Sequence, residues 1–132
     1  MHLIIDGYGA DPAKLQDFAF IYHLLDSYPE RIGMHKISYP HIIEYTQGSP
    51  QDWGLSGFVF IAESHISVHT YPARGYVNID VFSCKPFDPD PVAEQLKRDF
   101  GLERAETWVV DRGAYPAHAV LSAAAQAPHA KG

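Results

Sequence analysis

One cysteine, Cys84, is all the thiol the chain contains. A single cysteine closes no internal disulfide and suits a reducing compartment. Basic residues are scarce too: 10 Lys and Arg stand against 16 Asp and Glu, for a net charge of −6. A protein that tracks nucleic-acid phosphates carries the opposite balance, so nucleic acid is not expected as a partner. No apolar run reaches the roughly 18 residues that would suggest a membrane span. The opening residues, Met1-His2-Leu3-Ile4-Ile5-Asp6, lack the basic start and long apolar stretch of a signal peptide. These absences lead to the expectation of a cytoplasmic protein with no membrane partner. What is present is a globular composition, 46% hydrophobic and 20% charged over 132 residues. That length matches one domain able to bury a core without disulfides.

Local patterns order the chain as β-α-β-β-β-α-β. Leu3-Ile4-Ile5 reads as a strand. Asp11-Pro12 is an N-cap followed by proline, and Leu15, Phe18, Tyr22 and Leu25 recur at helical spacing until Pro29 and Gly33. Lys36 to Tyr45 looks extended, with a bend or edge position at Pro40. Thr46 to Leu55 reads as a loop, and Gly57 to Tyr71 as the longest strand-like region. Ala73-Arg74-Gly75 makes a tight connection to a strand from Tyr76 to Cys84. Asp90-Pro91 repeats the cap-plus-proline signature, Val92, Leu96 and Phe100 form a stripe, and Gly101 is a stop. Thr107 to Val110 is a last strand. The resulting fold class is α+β: a two-layer sandwich of a mainly antiparallel sheet with two helices on one face. The domain is expected over residues 1–115, with a flexible Ala-rich tail over 116–132. Phe18, Tyr22, Phe58 and Phe60 are expected in the core.

The chemistry concentrates in Glu63-Ser64-His65-Ile66-Ser67-Val68-His69-Thr70-Tyr71-Pro72. Polar groups taken out of water need partners, so this many on a buried strand mark a site rather than a folding requirement. Strand alternation puts His65, Ser67, His69 and Tyr71 on one face and Ile66, Val68 and Thr70 on the other. His65 and His69 are four apart, which on a strand means about 13 Å, too far for one metal ion. Taken singly, His69 reads as a satisfied core histidine and Cys84 as a small buried hydrophobe. Asp80 is placed to pair with Arg74 or a histidine.

That stretch, with Ser56-Gly57 before it and Tyr76-Val77-Asn78-Ile79-Asp80-Val81-Phe82-Ser83-Cys84 after it, resembles the prokaryotic S-adenosylmethionine decarboxylase proenzyme family. The resemblance runs from Leu3 to about Val110. It implies a pyruvoyl enzyme of polyamine and spermidine biosynthesis whose cofactor is a covalent pyruvoyl group made from Ser64. The Ser64 hydroxyl attacks the carbonyl of Glu63, and the backbone splits between Glu63 and Ser64. The substrate amine then forms a Schiff base with the ketone, which acts as electron sink for decarboxylation. The resemblance assigns processing roles to Ser56 and His69 and the proton-donor role to Cys84. A thiol suits that role because it holds its proton near neutrality and can still release it. Ser64 and His69 are five apart, so an ideal strand sends them to opposite faces, and a bend or bulge at Ser64 is the expected remedy. The candidate substrate-binding residues are Tyr71 and His65. A homodimer of processed chains, with the functionalised sheet face covered by the second copy, is the expected assembly.

Tyr71 stands where the family usually has tryptophan, and two of the family's nucleoside contacts are missing. Ala73 stands where the family's ribose-gripping glutamate belongs, and Pro50 where a phenylalanine stacks on adenine. Trp53 and Tyr45 are the aromatic candidates to replace that contact. The substrate expected is therefore a small amino-acid-type molecule, with S-adenosylmethionine leading and arginine or ornithine as alternatives. An unprocessed, non-catalytic binding or regulatory homologue is the alternative of a different class.

Overall fold

The computed structural model describes residues 1–62 and 64–112. In chain order the elements are β1 (His2–Tyr8), α1 (Pro12–Leu15), α2 (Phe18–Arg31), β2 (His41–Tyr45), β3 (Gly54–Ile61), β4 (Ser64–Tyr71), β5 (Tyr76–Phe82), α3 (Pro89–Phe100) and β6 (Arg104–Val110). Short 3-10 turns occupy Pro50–Asp52 and Pro72–Arg74. The six strands form one sheet in the order β2-β3-β4-β5-β1-β6, every neighbouring pair antiparallel. The two long helices pack on one face, α2 against β3 and β4 and α3 against β1 and β6. The α+β two-layer architecture expected from the sequence is the one found.

Alternation explains the layering. In β1, Leu3 and Ile5 are buried; in β5, Val77, Ile79 and Val81; in β4, Ile66, Val68 and Thr70. Against this face α2 turns Ile21, Leu24, Leu25 and Tyr28, and α3 turns Val92, Leu96 and Phe100. Each such aliphatic or aromatic side chain, fully buried, contributes about 1.5–3 kcal/mol.

Several boundaries differ from the sequence expectation. The first helical stretch is two helices, because Asp17 is a second N-cap whose side chain accepts from the Phe20 N–H at 3.1 Å. Phe18 therefore starts a new helix and is 52% exposed, and the buried stripe is Ile21, Leu24, Leu25 and Tyr28 rather than the one drawn through Phe18 and Tyr22. Pro29 lies inside α2 and does not end it. The cap of α3 is Asp88, followed by Pro89, not Asp90-Pro91. Asp88 comes first, and both prolines then fall in the first turn, where a helix needs no N–H. Gly101 is the stop expected, in the left-handed conformation at φ 64°. Gly54 and Leu55 belong to β3 rather than to a loop. Pro40 directly precedes β2, which is an edge strand.

The largest correction concerns Gly57 to Tyr71, which is a hairpin rather than one strand. Ile61 pairs with Ser64, Phe60 with His65 and Ser56 with His69. The connection between β3 and β4 spans two residues, which turns the second half of the stretch back alongside the first. Parity then sends Phe60 away from the helices, and it is 48% exposed instead of core. Phe58 and Tyr22 are half-buried. The proposed tail lies outside the described residues.

Two buried polar groups tie the layers together. Thr70 Oγ1 accepts from the Leu55 N–H at 2.9 Å and donates to the Leu15 carbonyl at 2.8 Å. Replacing Thr70 by Val leaves a buried donor and a buried acceptor unpaired, so urea denaturation should register a loss of about 1–3 kcal/mol. Tyr28, 1% exposed, donates to Asp99 Oδ2 at 2.6 Å. Burial, then the Asp99 hydrogen bond, push its phenol far above the ordinary tyrosine range. The folded chain thus keeps a proton that the unfolded chain releases. The stability Tyr28 contributes is complete below about pH 10 and is lost as pH rises beyond that. Urea midpoints should fall in this alkaline range, and fall less for Tyr28→Phe; parallel decline in both would contradict the assignment.

Candidate active site

Ser64 opens β4 and is 8% exposed, on the helix-facing side of the sheet. Its Oγ accepts a hydrogen bond from the backbone N–H of Cys84 at 3.0 Å. Cys84 does not end a strand, as expected from sequence, but lies just past β5 in the turn that follows Phe82. Ser83 holds this turn in place: its N–H donates to the Met1 carbonyl at 2.9 Å, and the Met1 amino group donates back to the Ser83 carbonyl at 2.8 Å. The start of β1 therefore fixes the height at which Cys84 meets Ser64. Glu63 lies outside the described residues.

Ser56 and His69 form a second pair. They are cross-strand partners in the β3–β4 hairpin, and Ser56 Oγ lies 2.8 Å from His69 Nδ1. Both sit on the sheet face that carries no helices. The two pairs are far apart within one chain. Ser64 and His69 lie five residues apart on a strand whose register runs unbroken on both sides, which separates them by about 17 Å. The bend or bulge expected at Ser64 is absent from β4, and the two side chains do take opposite faces.

The open face is built from the remaining alternate positions. His65 is half-buried against the Phe82 ring, 5.4 Å between centroids. Burial, and then the neighbouring His2, lower its pKa from the usual histidine value. His2 Nε2 is 2.9 Å from Asp80 Oδ1, so Asp80 pairs with a histidine and not with Arg74. The Phe58 and Phe60 rings meet at a tilt beside this group, 5.0 Å between centroids. Arg74 instead reaches Asp52: its Nη2 donates to Asp52 Oδ1 at 3.1 Å and its Nε to the Gln51 carbonyl at 3.1 Å. No group of three or more His, Cys, Asp or Glu among the described residues is arranged to hold a metal ion. No helix there is long and apolar enough to cross a membrane.

Tyr71, at the end of β4, lines a cleft of about 290 Å³ with Tyr45, Asp52, Gly54, Ser56 and Thr70. Pro50 and Ala73 line an adjoining recess together with Trp53 and Glu44. The aromatic candidates Tyr45 and Trp53 are thus both at this end of the sheet. The one residue the sequence did not single out is Asp52. Its partnership with Arg74 joins two turns more than twenty positions apart, and no local pattern announces it.

Comparison with known proteins gives the family. The family model described as S-adenosylmethionine decarboxylase matches residues 1–113. The S-adenosylmethionine decarboxylase proenzyme of Shouchella clausii (strain KSM-K16) is 33% identical over 116 residues, covering 87% of this chain and 85% of the relative. The proenzyme of Pyrococcus abyssi (strain GE5 / Orsay) is 34% identical over 114 residues, covering 85% and 77%. The crystal structure of the adenosylmethionine decarboxylase from Aquifex aeolicus VF5 superposes with a TM-score of 0.66 at 26% identity, covering 86% of this chain and 93% of that one. Matched over nearly all its described length, the chain belongs to the S-adenosylmethionine decarboxylase family.

Proposed function

We propose that this chain is a self-processing, pyruvoyl-dependent decarboxylase of polyamine biosynthesis that works as a homodimer, with S-adenosylmethionine as its leading substrate. The observation that carries the reading is the resolution of the four candidate residues into two hydrogen-bonded pairs, Ser64 with Cys84 and Ser56 with His69.

Ser64 fits the precursor role. It is nearly enclosed, anchored at the first position of an interior strand, and a backbone N–H is aimed at its oxygen. In the proposed processing, Oγ attacks the carbonyl carbon of residue 63. The new C–O bond replaces the C–N bond, and the Ser64 nitrogen takes up the proton the hydroxyl gives up. Loss of the Ser64 α-proton then breaks the Cβ–Oγ bond, and the oxygen departs within the new carboxylate of Glu63. The Cys84 N–H, already 3.0 Å from that oxygen, stabilises the charge that develops on it. Water adds to the resulting enamine and ammonia leaves, which yields the pyruvoyl cap. That ketone supplies the electron sink for loss of the substrate carboxylate. The Cys84 side chain, carried on the same turn, returns a proton to the α-carbon.

A serine hydroxyl needs a base, and His69 is the base to hand. The Ser56 contact fixes its Nδ1, which leaves Nε2 for proton transfer. The gap of about 17 Å between Ser64 and His69 in one chain supports a site whose two halves come from different copies. The helix-free face supports this, because it exposes Phe60 at 48% beside Phe58, an apolar patch of the kind a second copy covers. Ala73 and Pro50 favour a second reading, in which the same chemistry acts on another amino acid such as arginine or ornithine.

Processing is tested on denaturing gels. Ser64→Ala should remain one polypeptide, and His69→Ala should cleave about 10²–10⁴-fold more slowly than the native chain. Co-expressing the two variants should restore fast cleavage of the His69→Ala chain alone, since its partner then provides the imidazole. Failure of that rescue would overturn the composite site. An intact native chain would overturn the enzyme reading in favour of a non-catalytic homologue.

A further inference from the structure

The cleft at the Tyr71 end of the sheet has a chemistry of its own. Its floor is formed where β3 crosses close to β4: a Cβ on Gly54 would lie 1.8 Å from the Thr70 carbonyl oxygen, so only glycine allows the approach. Thr70 offers no hydrogen bond to a visitor, because its hydroxyl is committed to Leu55 and Leu15. Ser56 is committed to His69. What the cleft presents is the Asp52 carboxylate together with Tyr45 and Tyr71.

Asp52 is a positioned carboxylate. It ends the 3-10 turn Pro50–Asp52, whose N-cap Ser49 accepts from the Gln51 N–H. The Arg74 fork clamps this turn by holding the Gln51 carbonyl with Nε and Asp52 Oδ1 with Nη2. Arg74 itself does not line the cleft, and two of its donors are spent on that clamp. Asp52 Oδ2 makes no hydrogen bond among the described residues. A carboxylate only accepts hydrogen bonds, and aromatic faces attract positive charge. Both preferences select a cation and reject an anion. Ala73, beside Arg74, brings no carboxylate of its own; Glu44 lines the adjoining recess, and Asp52 is the acid among the residues that line the cleft itself.

We propose that this cleft holds the positive group of the substrate's side chain, with Asp52 as its counter-charge and Tyr45 and Tyr71 as its walls. The substrate is then a cationic α-amino acid whose charge lies beyond the reacting carbon, as a sulfonium, guanidinium or ammonium group. Asp52 is the specificity-determining residue. The inference rests on the decarboxylase reading for the fate of the bound molecule but not for its binding.

Calorimetric titration of the full-length Ser64→Ala chain separates the two. L-arginine against its neutral isostere L-citrulline, L-ornithine against L-norvaline, and S-adenosylmethionine against S-adenosylhomocysteine form matched pairs that differ in charge. At least one cationic member should bind tenfold or more tightly than its neutral partner, and the pair that does so identifies the cation. Adding Asp52→Asn, isosteric but uncharged, should erase that preference, while Asp52→Glu should keep part of it. Equal binding within all three pairs, an undiminished preference in Asp52→Asn, or no binding by any cationic member would overturn the proposal. Cleavage of the native chain is read separately. A cation preference in a chain that never cleaves would sink the decarboxylase reading and leave this site standing.

Discussion

The register of the β3–β4 hairpin governs everything else in this molecule. Pairing Ile61 with Ser64 fixes Ser56 opposite His69, since antiparallel strands advance in step. A slip of one residue would send Ser64 to the open face and His69 into the helix layer. The slip is opposed by the aliphatic side chains of Val59, Ile61, Ile66 and Val68, all essentially buried, which would be exposed by it. Core packing therefore holds a serine and a histidine at opposite ends and on opposite faces of one strand. The proposed processing, which needs both, therefore calls for two copies.

The same hairpin sets up two ends with different duties. At one, β1 and the turn after β5 interlock through Met1 and Ser83 and deliver the Cys84 N–H to Ser64. The groups there are short, backbone-anchored and nearly enclosed, which suits bond-making that tolerates little positional error. At the other, Tyr45, Asp52 and Tyr71 surround an open cleft whose walls come from three separate elements. Loops and turns change with less cost to the fold than interior strands do. Pro50 and Ala73 fall on those turns, whereas Ser56, Ser64 and His69 lie on strands of the interior hairpin.

Much of the architecture was legible because it rests on local chemistry. Asp11-Pro12 caps α1, Gly101 stops α3, and alternating aliphatics in β4 and β5 gave the buried face correctly. What was not legible depends on partners distant in sequence. The chain reverses after Ile61 with no Asn-Gly or Asp-Gly pair to announce it, because an apolar run leads straight through Ala62. That run places Phe60 in the core, whereas its parity in the hairpin exposes it. Asp88 and Asp90 carry the same capping signature two residues apart, and only geometry distinguishes them. The parity conflict between Ser64 and His69 was visible in the sequence. Its remedy was not, because a single chain suggests a bulge where the structure leaves the strand straight, and the second copy enters only with the proposed function. Asp52 was hidden for a similar reason, since its clamp comes from Arg74 on the far turn.

The claim on which the rest depends is that the bond before Ser64 is broken by the chain itself. Intact-mass spectrometry of the freshly purified native protein, before and after borohydride treatment, addresses it directly. The account predicts two polypeptides, residues 1–63 and 64–132, the second lacking a free amino terminus and gaining the mass of two hydrogens on reduction. A single unreduced species at 14.7 kDa would contradict it.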